Sequence, residues 1–448
     1  MKDVRPGGEM VRGFYRFPSA PGRLRWGALQ AWLAILAAFG PLTAGRLEAA
    51  GFALMQQGTA AMAQGNAFVA EANDPSAIFY NPAGLNQLKR PEIYLATIFN
   101  APDREYYPPG GGFSQTNRRI YHAAATYLVW PVHDRVALGV GVFAPFGLGT
   151  AWHPEWPGRY LTTLSRLKTY NLNPAVAVKM TPTFSLALGF NALYADAELK
   201  RALPLRVGSV ALPDGEAAFD GDATGVGFNA GLLYEPWRGI RLGLAYRSKV
   251  ELKFKGDLNL TLPRPLPATP RIGGNARLDL PPSLTVGVSL SRFSPFTFNF
   301  DATWTGWSTY DRLQINLNET ILSNGVPTRS IVSLKNWRDA WAFRFGANCR
   351  VKKNLTLRAG YIYDLTPVPD ETFDPQVPDN NRHIFTLGGD LTIPRFTLGL
   401  AYNYIYTESR DKNNLLALND RPLPPAFQAN GTYKSDVHAL GLSLSTRF

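Results

Sequence analysis

The sequence is short of cysteine, of charge and of long apolar runs. Its single cysteine, Cys349, excludes a disulfide within the chain and any site built from several thiolates. Only 18% of its 448 residues are charged, against about a quarter in typical soluble domains. Beyond residue 45 no run of 18 or more apolar residues occurs, which excludes a transmembrane helix in the body of the chain. A chain of this kind can cross a membrane only as strands.

The first 49 residues predict a secretory signal peptide. Two arginines precede the apolar stretch "WGALQAWLAILAAFGPLTAG", a Gly-Pro pair interrupts it near its end, and small residues follow in "RLEAAGF". This arrangement predicts cleavage after Ala49 or Ala50. A retained membrane anchor is the alternative, but the Gly-Pro break shortens the helix that an anchor needs.

Large apolar residues alternate with small or polar residues in many stretches of the sequence. In "FSLALGFNALYADAE" (184–198) large apolar residues occupy the even positions, and small or polar residues occupy most odd positions. The stretch "FTLGLAYNYIYTE" (396–408) repeats this pattern, with its tyrosines gathered at one end. Such alternation predicts strands with one apolar face, and the aromatic end is typical of a membrane interface. A soluble β-sandwich also alternates, but these runs reach the roughly 9–11 residues that a strand needs to cross a bilayer.

About fourteen such runs follow one another along the chain. They cover roughly 91–101, 119–131, 135–146, 164–180, 184–201, 223–235, 240–257, 276–292, 296–317, 329–351, 355–366, 383–393, 396–409 and 433–448. Short turns such as "TPT" alternate with long loops such as "TPVPDETFDPQVPDNN", as in bacterial outer-membrane barrels. The pattern predicts an all-β fold, a 14-stranded antiparallel transmembrane β-barrel. The terminal aromatic residue Phe448 resembles the signal that the barrel assembly machinery reads.

The segment before the first strand predicts a plug inside the barrel. A barrel of about eight strands is filled by its own side chains, whereas about fourteen strands enclose a wider space. The plug segment is rich in Ala, Gly, Gln and Asn, and "NDPSAIFYNPAGL" (73–85) predicts a chain reversal, with an ordinary surface turn as the alternative. The predicted domains are a signal peptide (1–49), an N-terminal hatch or plug (50–90) and a transmembrane β-barrel (91–448).

Motifs along the whole predicted mature chain resemble those of one family. They are "AGFAL" at 50–54, "NPA" at 81–83, "FGLGTAW" at 146–152, "LGFNALYADAELKR" at 188–201, "YRSKVELKFKG" at 246–256, "LDLPPS" at 278–283, "WSTY" at 307–310, "RDAWAFRFG" at 338–346 and "VPDNNRH" at 377–383. The chain resembles the FadL family of outer-membrane long-chain fatty acid transporters, whose close relatives carry aromatic hydrocarbons. The resemblance implies a barrel with an N-terminal hatch, capture of an apolar ligand among the extracellular loops, transfer to an inner pocket, and sideways exit where the third strand kinks inward.

The resemblance also implies where that kink and the facing hatch surface lie. It places the kink at Gly147, after Pro145 in "APFGLG". Proline lacks a donor for the strand ladder and glycine tolerates unusual dihedral angles, so both residue types agree with interrupted pairing. A simple strand end is the alternative. The hatch residues implied to face the gap are Asn81, Pro82 and Ala83.

Two arginines match positions that resemble the carboxylate-binding groups of the family. Arg201 ends "ELKR" and Arg338 lies in "WRDAW". Extrapolated alternation places both on the lumen side near long loops, where an arginine fork could hold a carboxylate. Solvated charges beside the loops are the alternative. The N-terminal strip "AGFAL", with Phe52 and Leu54, is expected to move when ligand is released. Lumen parity further predicts lining charges at Arg241, Arg247 and Lys249.

These observations predict passive transport without catalysis. The sequence has no G-x-S-x-G motif and its five histidines show no metal-binding spacing, so we expect no enzyme activity, cofactor or metal. The formal charge of +12 is not clustered with aromatic residues, which argues against nucleic-acid binding. The expected ligand is a long-chain fatty acid or related hydrophobic molecule, and outer-membrane lipid of a Gram-negative-type bacterium surrounds the barrel. An uptake channel for uncharged aromatic or aliphatic hydrocarbons is the alternative, and a general polar porin is a further one.

Overall fold

In the computed structural model, antiparallel strands close on themselves into one barrel. The structure describes residues 51–448 apart from 208–209, 265, 268 and 324–325, so the predicted signal peptide lies outside the described residues. The first barrel strand pairs with the last, with Glu92 opposite Arg447 and Tyr107 opposite Thr432, and this pairing closes the sheet. The barrel has 14 strands, which confirms the number expected from the alternating runs.

Five of the barrel strands are interrupted and consist of two segments each. The strands are β1 (Glu92–Tyr107), β2 (Tyr121–His133), β3 (Val136–Phe143, then Gly147–Ala151), β4 (Leu164–Thr181), β5 (Phe184–Val207), β6 (Val210–Trp237), β7 (Ile240–Arg247, then Val250–Thr261), β8 (Ile272–Leu280, then Ser283–Phe293), β9 (Phe296–Thr305, then Arg312–Ser323), β10 (Val326–Leu334, then Ala340–Lys352), β11 (Leu355–Asp364), β12 (Arg382–Ile393), β13 (Phe396–Lys412) and β14 (Gly431–Arg447). Short pairings outside the barrel strands involve Ser114–Gln115, Ala417–Leu418 and Arg421–Pro422.

Among the described residues, helices are few and short. Two α-helices of this part of the chain, α1 (Thr59–Ala63) and α2 (Ala77–Tyr80), precede the first strand. The 3-10 helices are Pro82–Gln87, Trp307–Thr309, Asp370–Thr372 and Pro425–Phe427. Within the part of the chain that the structure describes, no helix is long and apolar enough to span a bilayer.

The connections between barrel strands differ in length at the two ends of the barrel. At one end, two-residue turns such as 182–183 join consecutive strands, and we call this the short-turn end. The opposite, long-loop end carries the connections 108–120, 152–163, 262–271, 365–381 and 413–430. In outer-membrane barrels, short turns face the periplasm and long loops face the exterior.

The two faces of each strand separate as the alternation predicts. In β5 the outward residues Leu188 and Phe190 are 61% and 50% exposed, whereas Asn191 and Ala195 on the other face are buried. In β13 Leu400 is likewise exposed on the outer wall. An outer band of exposed apolar side chains is stable only against lipid, and therefore the strand faces agree with a membrane-spanning barrel.

Residues 51–90, which we call the hatch, pack against the inner faces of the strands. Helix α1 contacts β12 and β13, and the 3-10 helix that follows α2 contacts β4, β5 and β6. The amides of Phe68 and Val69 donate to Asp301 Oδ2 at 2.8 and 2.9 Å, and the Gly65 amide donates to Thr386 Oγ1 at 2.9 Å. Lumen-facing side chains of the wall therefore satisfy backbone donors of the hatch. The domain boundaries themselves remain predictions.

Candidate ligand path through the barrel

The wall is interrupted in its third strand. Phe143 pairs with Asn171 and Gly147 pairs with Lys168, so three residues of β3 stand opposite two residues of β4. One extra residue of this kind bends a strand and breaks its ladder. On the other side, the pairing of β3 with β2 extends only to Val142. The residues between, including Pro145, are therefore free of regular pairing with the neighbouring wall.

The N-terminal strip of the hatch satisfies the backbone of this interruption. The Leu54 amide donates to the Pro145 carbonyl oxygen at 2.9 Å, and the Gly147 amide donates to the Phe52 carbonyl oxygen at 3.0 Å. Gln57 Nε2 donates to the carbonyl oxygen of residue 144 at 2.6 Å. The strip thus takes the place of a missing strand, because it supplies partners that the wall does not.

Phe52 lies at the centre of an aromatic cluster. Its ring is 5% exposed, and its centroid lies 4.7 Å from that of Trp307, 5.7 Å from Trp337, 5.9 Å from Tyr310 and 6.1 Å from Phe146. Aromatic pairs in this range attract each other beyond their buried area. Movement of the strip would therefore open an apolar, aromatic-lined volume beside the strand interruption.

The strip approaches Gly147 closely. A Cβ atom at this position would lie 2.8 Å from Leu54 Cδ1, so the tip of the Leu54 side chain would have to shift to admit a larger residue. The resemblance places the kink at Gly147, and the structure places Gly147 as the first residue after the interruption and Pro145 within it. Their part in release remains a proposal.

The three hatch residues expected to face the gap have different surroundings. Asn81 Nδ2 donates to the carbonyl oxygens of Val69 and Leu232 at 2.7 and 2.9 Å, and its Oδ1 accepts from the Ala83 amide at 3.1 Å. Asn81 therefore ties the hatch to β6, at a distance from the interrupted strand along the sheet. Pro82 lines a small cavity of about 60 Å³ whose lining also includes Pro145 and Phe146 of β3.

Arg201 lines the main cavity at the long-loop end. This cavity of about 540 Å³ has a mostly apolar lining, including Leu199, Phe219 and Ile315. In the described residues no carboxylate lies within 4.0 Å of the Arg201 guanidinium, although Asp374 also lines the cavity. A cationic fork in an apolar cavity is suited to an amphiphile with an anionic head.

Arg338 does not share this cavity. It lies in the segment 335–339 that separates the two halves of β10, where strand alternation does not set the direction of a side chain. Its side chain is 56% exposed, and its Nη2 atom lies 3.6 Å from Glu371 Oε2. Extrapolated alternation places both arginines on the lumen side near the long loops. In the structure, only Arg201 lines the main cavity.

Sequence reasoning missed the polar cluster around Glu71. This hatch carboxylate is 5% exposed, and it accepts hydrogen bonds from Gln64 Nε2 at 2.8 Å, Asn73 Nδ2 at 3.0 Å, Asn299 Nδ2 at 2.6 Å and Asn348 Nδ2 at 3.0 Å. The last two donors belong to the barrel wall. The amide-rich composition of the hatch indicates that it forms polar contacts inside the barrel. It does not reveal which wall residues form hydrogen bonds with the hatch.

The predicted lining charges divide into two groups. Arg241 and Arg247 each donate to a hatch carbonyl oxygen at 3.2 Å, so they hold the hatch in the lumen. The prediction for Lys249 is wrong. Its side chain is 42% exposed and pairs with Asp279 at 3.0 Å on the outer face, because β7 breaks at residues 248–249 and the alternation shifts by one residue.

Two histidines, His383 of β12 and His438 of β14, form side-chain hydrogen bonds on the outer wall. The Tyr361 hydroxyl lies 2.7 Å from His383 Nδ1, and His383 Nε2 lies 3.1 Å from Glu408 Oε1. The Tyr402 hydroxyl lies 2.7 Å from His438 Nδ1. These pairs belong to the aromatic band expected at a membrane interface. No group of three or more metal-ligating side chains in the described part of the chain is arranged to hold an ion.

An ion pair ties two loops beside the main cavity. Lys335 and Asp374 are in contact, with side chains only 4% and 9% exposed, and Lys335 Nζ also donates to Gln376 Oε1 at 2.9 Å. Burial alone lowers the pKa of Lys335, but the Asp374 carboxylate raises it, and the net direction is upward. Lys335 is therefore charged at neutral pH and holds the loop that carries Asp374 over the cavity.

The loop 365–381 is expected to lose stability as the pH rises from about 4 to about 6. Burial raises the pKa of Asp379 from 3.8 to about 6. Because the folded loop holds this proton more tightly than the open loop, the contribution is complete below pH 3.8 and is lost as the pH rises through about 6. Amide protection factors of this loop should fall over that range in wild type and stay level in Asp379→Asn. Equal pH dependence in both proteins would contradict the assignment.

A family model described as outer membrane protein transport protein (OMPP1/FadL/TodX) matches residues 40–448. The chain belongs to this family. The 47 kDa outer membrane protein of Pasteurella multocida is 29% identical over 438 residues, covering 92% of this chain and 98% of that protein. The long-chain fatty acid transport protein of Salmonella typhi is 25% identical over 352 residues, covering 71% and 78%.

Solved structures of FadL-family barrels show the same fold. A Pseudomonas aeruginosa FadL homologue superposes with a TM-score of 0.75 at 24% identity, covering 89% of this chain and all of that one. The Ralstonia pickettii toluene transporter TbuX superposes with a TM-score of 0.64 at 19% identity, covering 88% of this chain. The protein is thus a FadL-family β-barrel of the outer membrane, and its long loops face the exterior.

Proposed function

We propose that this FadL-family barrel carries long-chain fatty acids, or closely related hydrophobic molecules, passively across the outer membrane. A ligand is captured in the cavity at the long-loop end, passes to the aromatic cluster around Phe52, and leaves sideways through the interruption of β3. Phe52 and Leu54 move with the N-terminal strip to release it. Asn81, Pro82 and Ala83 hold the rest of the hatch beside this route, and Pro145 and Gly147 shape its exit.

The observation that carries the choice of substrate is Arg201. Its guanidinium lies in an apolar cavity of about 540 Å³ and has no carboxylate partner among the described residues. Guanidinium groups bind carboxylates through two parallel hydrogen bonds. A fatty acid supplies both an apolar chain for the cavity and a carboxylate partner for Arg201, whereas an uncharged hydrocarbon supplies only the first. The exposed Arg338 is proposed as a separate, weaker contact that the carboxylate makes outside this cavity.

The direction of transport needs no energy source. Each CH₂ group of an acyl chain gains about 0.8 kcal/mol on leaving water for hydrocarbon. A chain of roughly sixteen carbons therefore gains more than about 10 kcal/mol on reaching the membrane interior. The obstacle is the polar and charged surface of the outer leaflet. An apolar path that opens into the membrane removes this obstacle, and no catalytic residue is part of the proposal.

Uncharged aromatic or aliphatic hydrocarbons are the second candidate ligands. The apolar lining of the main cavity and the rings around Phe52 favour them, and TbuX is a toluene transporter with the same fold. A general polar porin has less support, because hatch residues 57–72 are buried within the barrel. We further propose that Phe448, exposed at the short-turn end, is read during assembly and that lipid surrounds the outer wall.

The test is equilibrium binding of a labelled long-chain fatty acid to the purified mature barrel, with toluene as competitor. Arg201→Ala should weaken fatty acid binding about ten- to a hundredfold, the range for a lost hydrogen bond to a charged group. Arg201→Lys should recover part of it, and Arg338→Ala should have a smaller effect.

Arg206→Ala is the matched control, because Arg206 lies on the same strand and lines the same cavity but is exposed. It should bind nearly as wild type. If toluene competes well and Arg201→Ala binds the fatty acid unchanged, the carboxylate site is wrong and an uncharged hydrocarbon is the better assignment. If neither ligand binds saturably, the transport proposal itself fails.

A further inference from the structure

A groove of about 730 Å³ runs across the outer, lipid-facing wall from β3 to β7. Its floor follows one row of paired residues, with Val142 opposite Leu172, Leu172 opposite Ala192, and Ala192 opposite Val226. The small side chain of Ala192 between larger neighbours makes the row concave. The volume lies within the roughly 300–1,000 Å³ of small-molecule sites.

The groove begins at the interruption of the wall. Val142 is the last residue of β3 that pairs with β2, and it directly precedes Phe143, where the first segment of β3 ends. The exposed rings of Tyr170 and Tyr194 stack with centroids 6.4 Å apart and form the side of the groove nearer the long loops. The groove therefore starts at the lipid-facing side of β3 directly beside the interruption, within reach of a molecule that leaves there.

A row of charged residues borders the groove on its long-loop side. Gly147 pairs with Lys168, Lys168 with Asp196, Asp196 with Asp222, and Asp222 with Lys255. Lys168 is thus the charged residue of this row next to the interruption. It is exposed, and in the described residues no carboxylate lies within 4.0 Å of its ammonium group, whereas the Asp196 carboxylate pairs with Arg166 at 3.3 Å.

We propose that this groove is an exit site, in which a fatty acid that has left the barrel lays its chain against the outer wall while Lys168 holds its carboxylate. Lys168 and Tyr170 are two residues apart on one face of β4, about 6.6 Å along the strand. The carboxylate stays at the polar boundary, because an ion is costly to bury in hydrocarbon, and the lysine stem can reach it from the wall. The inference rests on the proposed sideways release and adds a second, outer site to it.

The test is photolabelling of the full mature chain in lipid nanodiscs with a long-chain fatty acid that carries a diazirine on its tail, followed by peptide mapping. Wild type should be labelled in the cavity peptides near Arg201 and in the groove peptides that contain Tyr170 and Tyr194. Lys168→Gln should lower groove labelling about two- to fivefold, the range for an exposed ion pair, and leave cavity labelling unchanged.

Two variants make the result specific. Lys168→Arg should keep the groove label, because it keeps the charge. Lys255→Gln removes an exposed lysine, which has no ion pair among the described residues, from the far end of the same row, and it should label as wild type. A lower groove label in Lys255→Gln equal to that in Lys168→Gln would overturn the assignment to Lys168.

The outcomes separate this inference from the proposed function. A labelled cavity with a groove label that Lys168→Gln does not change overturns the exit site and leaves transport standing. Absence of saturable labelling at both places argues against the transport proposal. A diazirine phospholipid is the second probe. If it labels the groove equally in wild type and in Lys168→Gln, and fatty acid does not compete with it, then membrane lipid fills the groove and the inference is overturned.

Discussion

Oxidation of an Ala53→Cys, Phe146→Cys double variant is expected to abolish uptake of the hydrophobic ligand, and reduction is expected to restore it. Ala53 and Phe146 form an isolated antiparallel bridge between the strip and the interrupted strand. The hydrogen bonds of the neighbouring residues flank this pair, so it is a non-hydrogen-bonded pair with Cα atoms about 4.5 Å apart. That separation lies within the range of unstrained disulfides.

The expected effect is large because the bond would lock the strip beside the backbone groups that hold it at the exit. Uptake of a labelled fatty acid by cells that depend on this barrel measures it, in a Cys349→Ser background so that no other thiol reacts. The single variants and the reduced double variant control for loss of the Phe146 ring.

A wall disulfide provides the matched control for the tether. Leu400 and Leu442 are paired residues of β13 and β14, both on the outer face, and neither strand pairs with β3. Oxidation of Leu400→Cys, Leu442→Cys should leave uptake unchanged. Full uptake by the oxidised strip tether would show that the strip does not gate release, and equal loss in both pairs would point to damage by oxidation.

Replacement of Glu71 by leucine should release the hatch and make the barrel conduct small ions. Four amide groups donate to this buried carboxylate, from Gln64, Asn73, Asn299 and Asn348. Each buried donor that loses its acceptor costs about 1–3 kcal/mol. Asn299, Asn348 and Gln64 would each lose one hydrogen bond, although Gln64 still donates to the Ala67 carbonyl oxygen and Asn348 to Gln64 Oε1. The hatch should therefore be destabilised by roughly 3 kcal/mol. Ion conductance in planar bilayers measures the opening directly.

Glu71→Gln is the matched variant for this prediction. It keeps the shape of the side chain and one acceptor oxygen, so its conductance should lie between those of wild type and Glu71→Leu. Thermal unfolding of the whole barrel separates hatch release from loss of the fold, because the wall ladder does not include Glu71. A Glu71→Leu protein that stays closed to ions would show that the cluster does not retain the hatch.

The strands were predictable because their signal is local. Alternation in 184–198 and 396–408 sets which side chains face lipid, and β5 and β13 show those faces as expected. Turn length is equally local, since a two-residue connection such as 182–183 requires antiparallel neighbours. The strand number and the closed barrel follow from the same pattern, because an open sheet edge in lipid leaves backbone groups without partners.

The charged side chains were predictable only where their strands are continuous. Arg201 lies within β5, and its position at the long-loop end agrees with the alternation. Arg338 lies in a break of β10, where alternation sets no direction, and Lys249 lies in a break of β7, after which the alternation shifts by one residue. A shift of one residue in the alternation moves a side chain to the other face of a sheet. The local sequence does not indicate where such a shift occurs.

The sequence by itself determined the strands, their lipid-facing sides and the two unequal ends of the barrel, because each depends on residues a few positions apart. Tertiary structure alone decided what holds the hatch and what closes the wall. The amides that bind Glu71 come from positions 228 and 277 residues away, and the strip pairs with β3 across some ninety residues of chain. Only closure of the barrel brings such groups within hydrogen-bond distance.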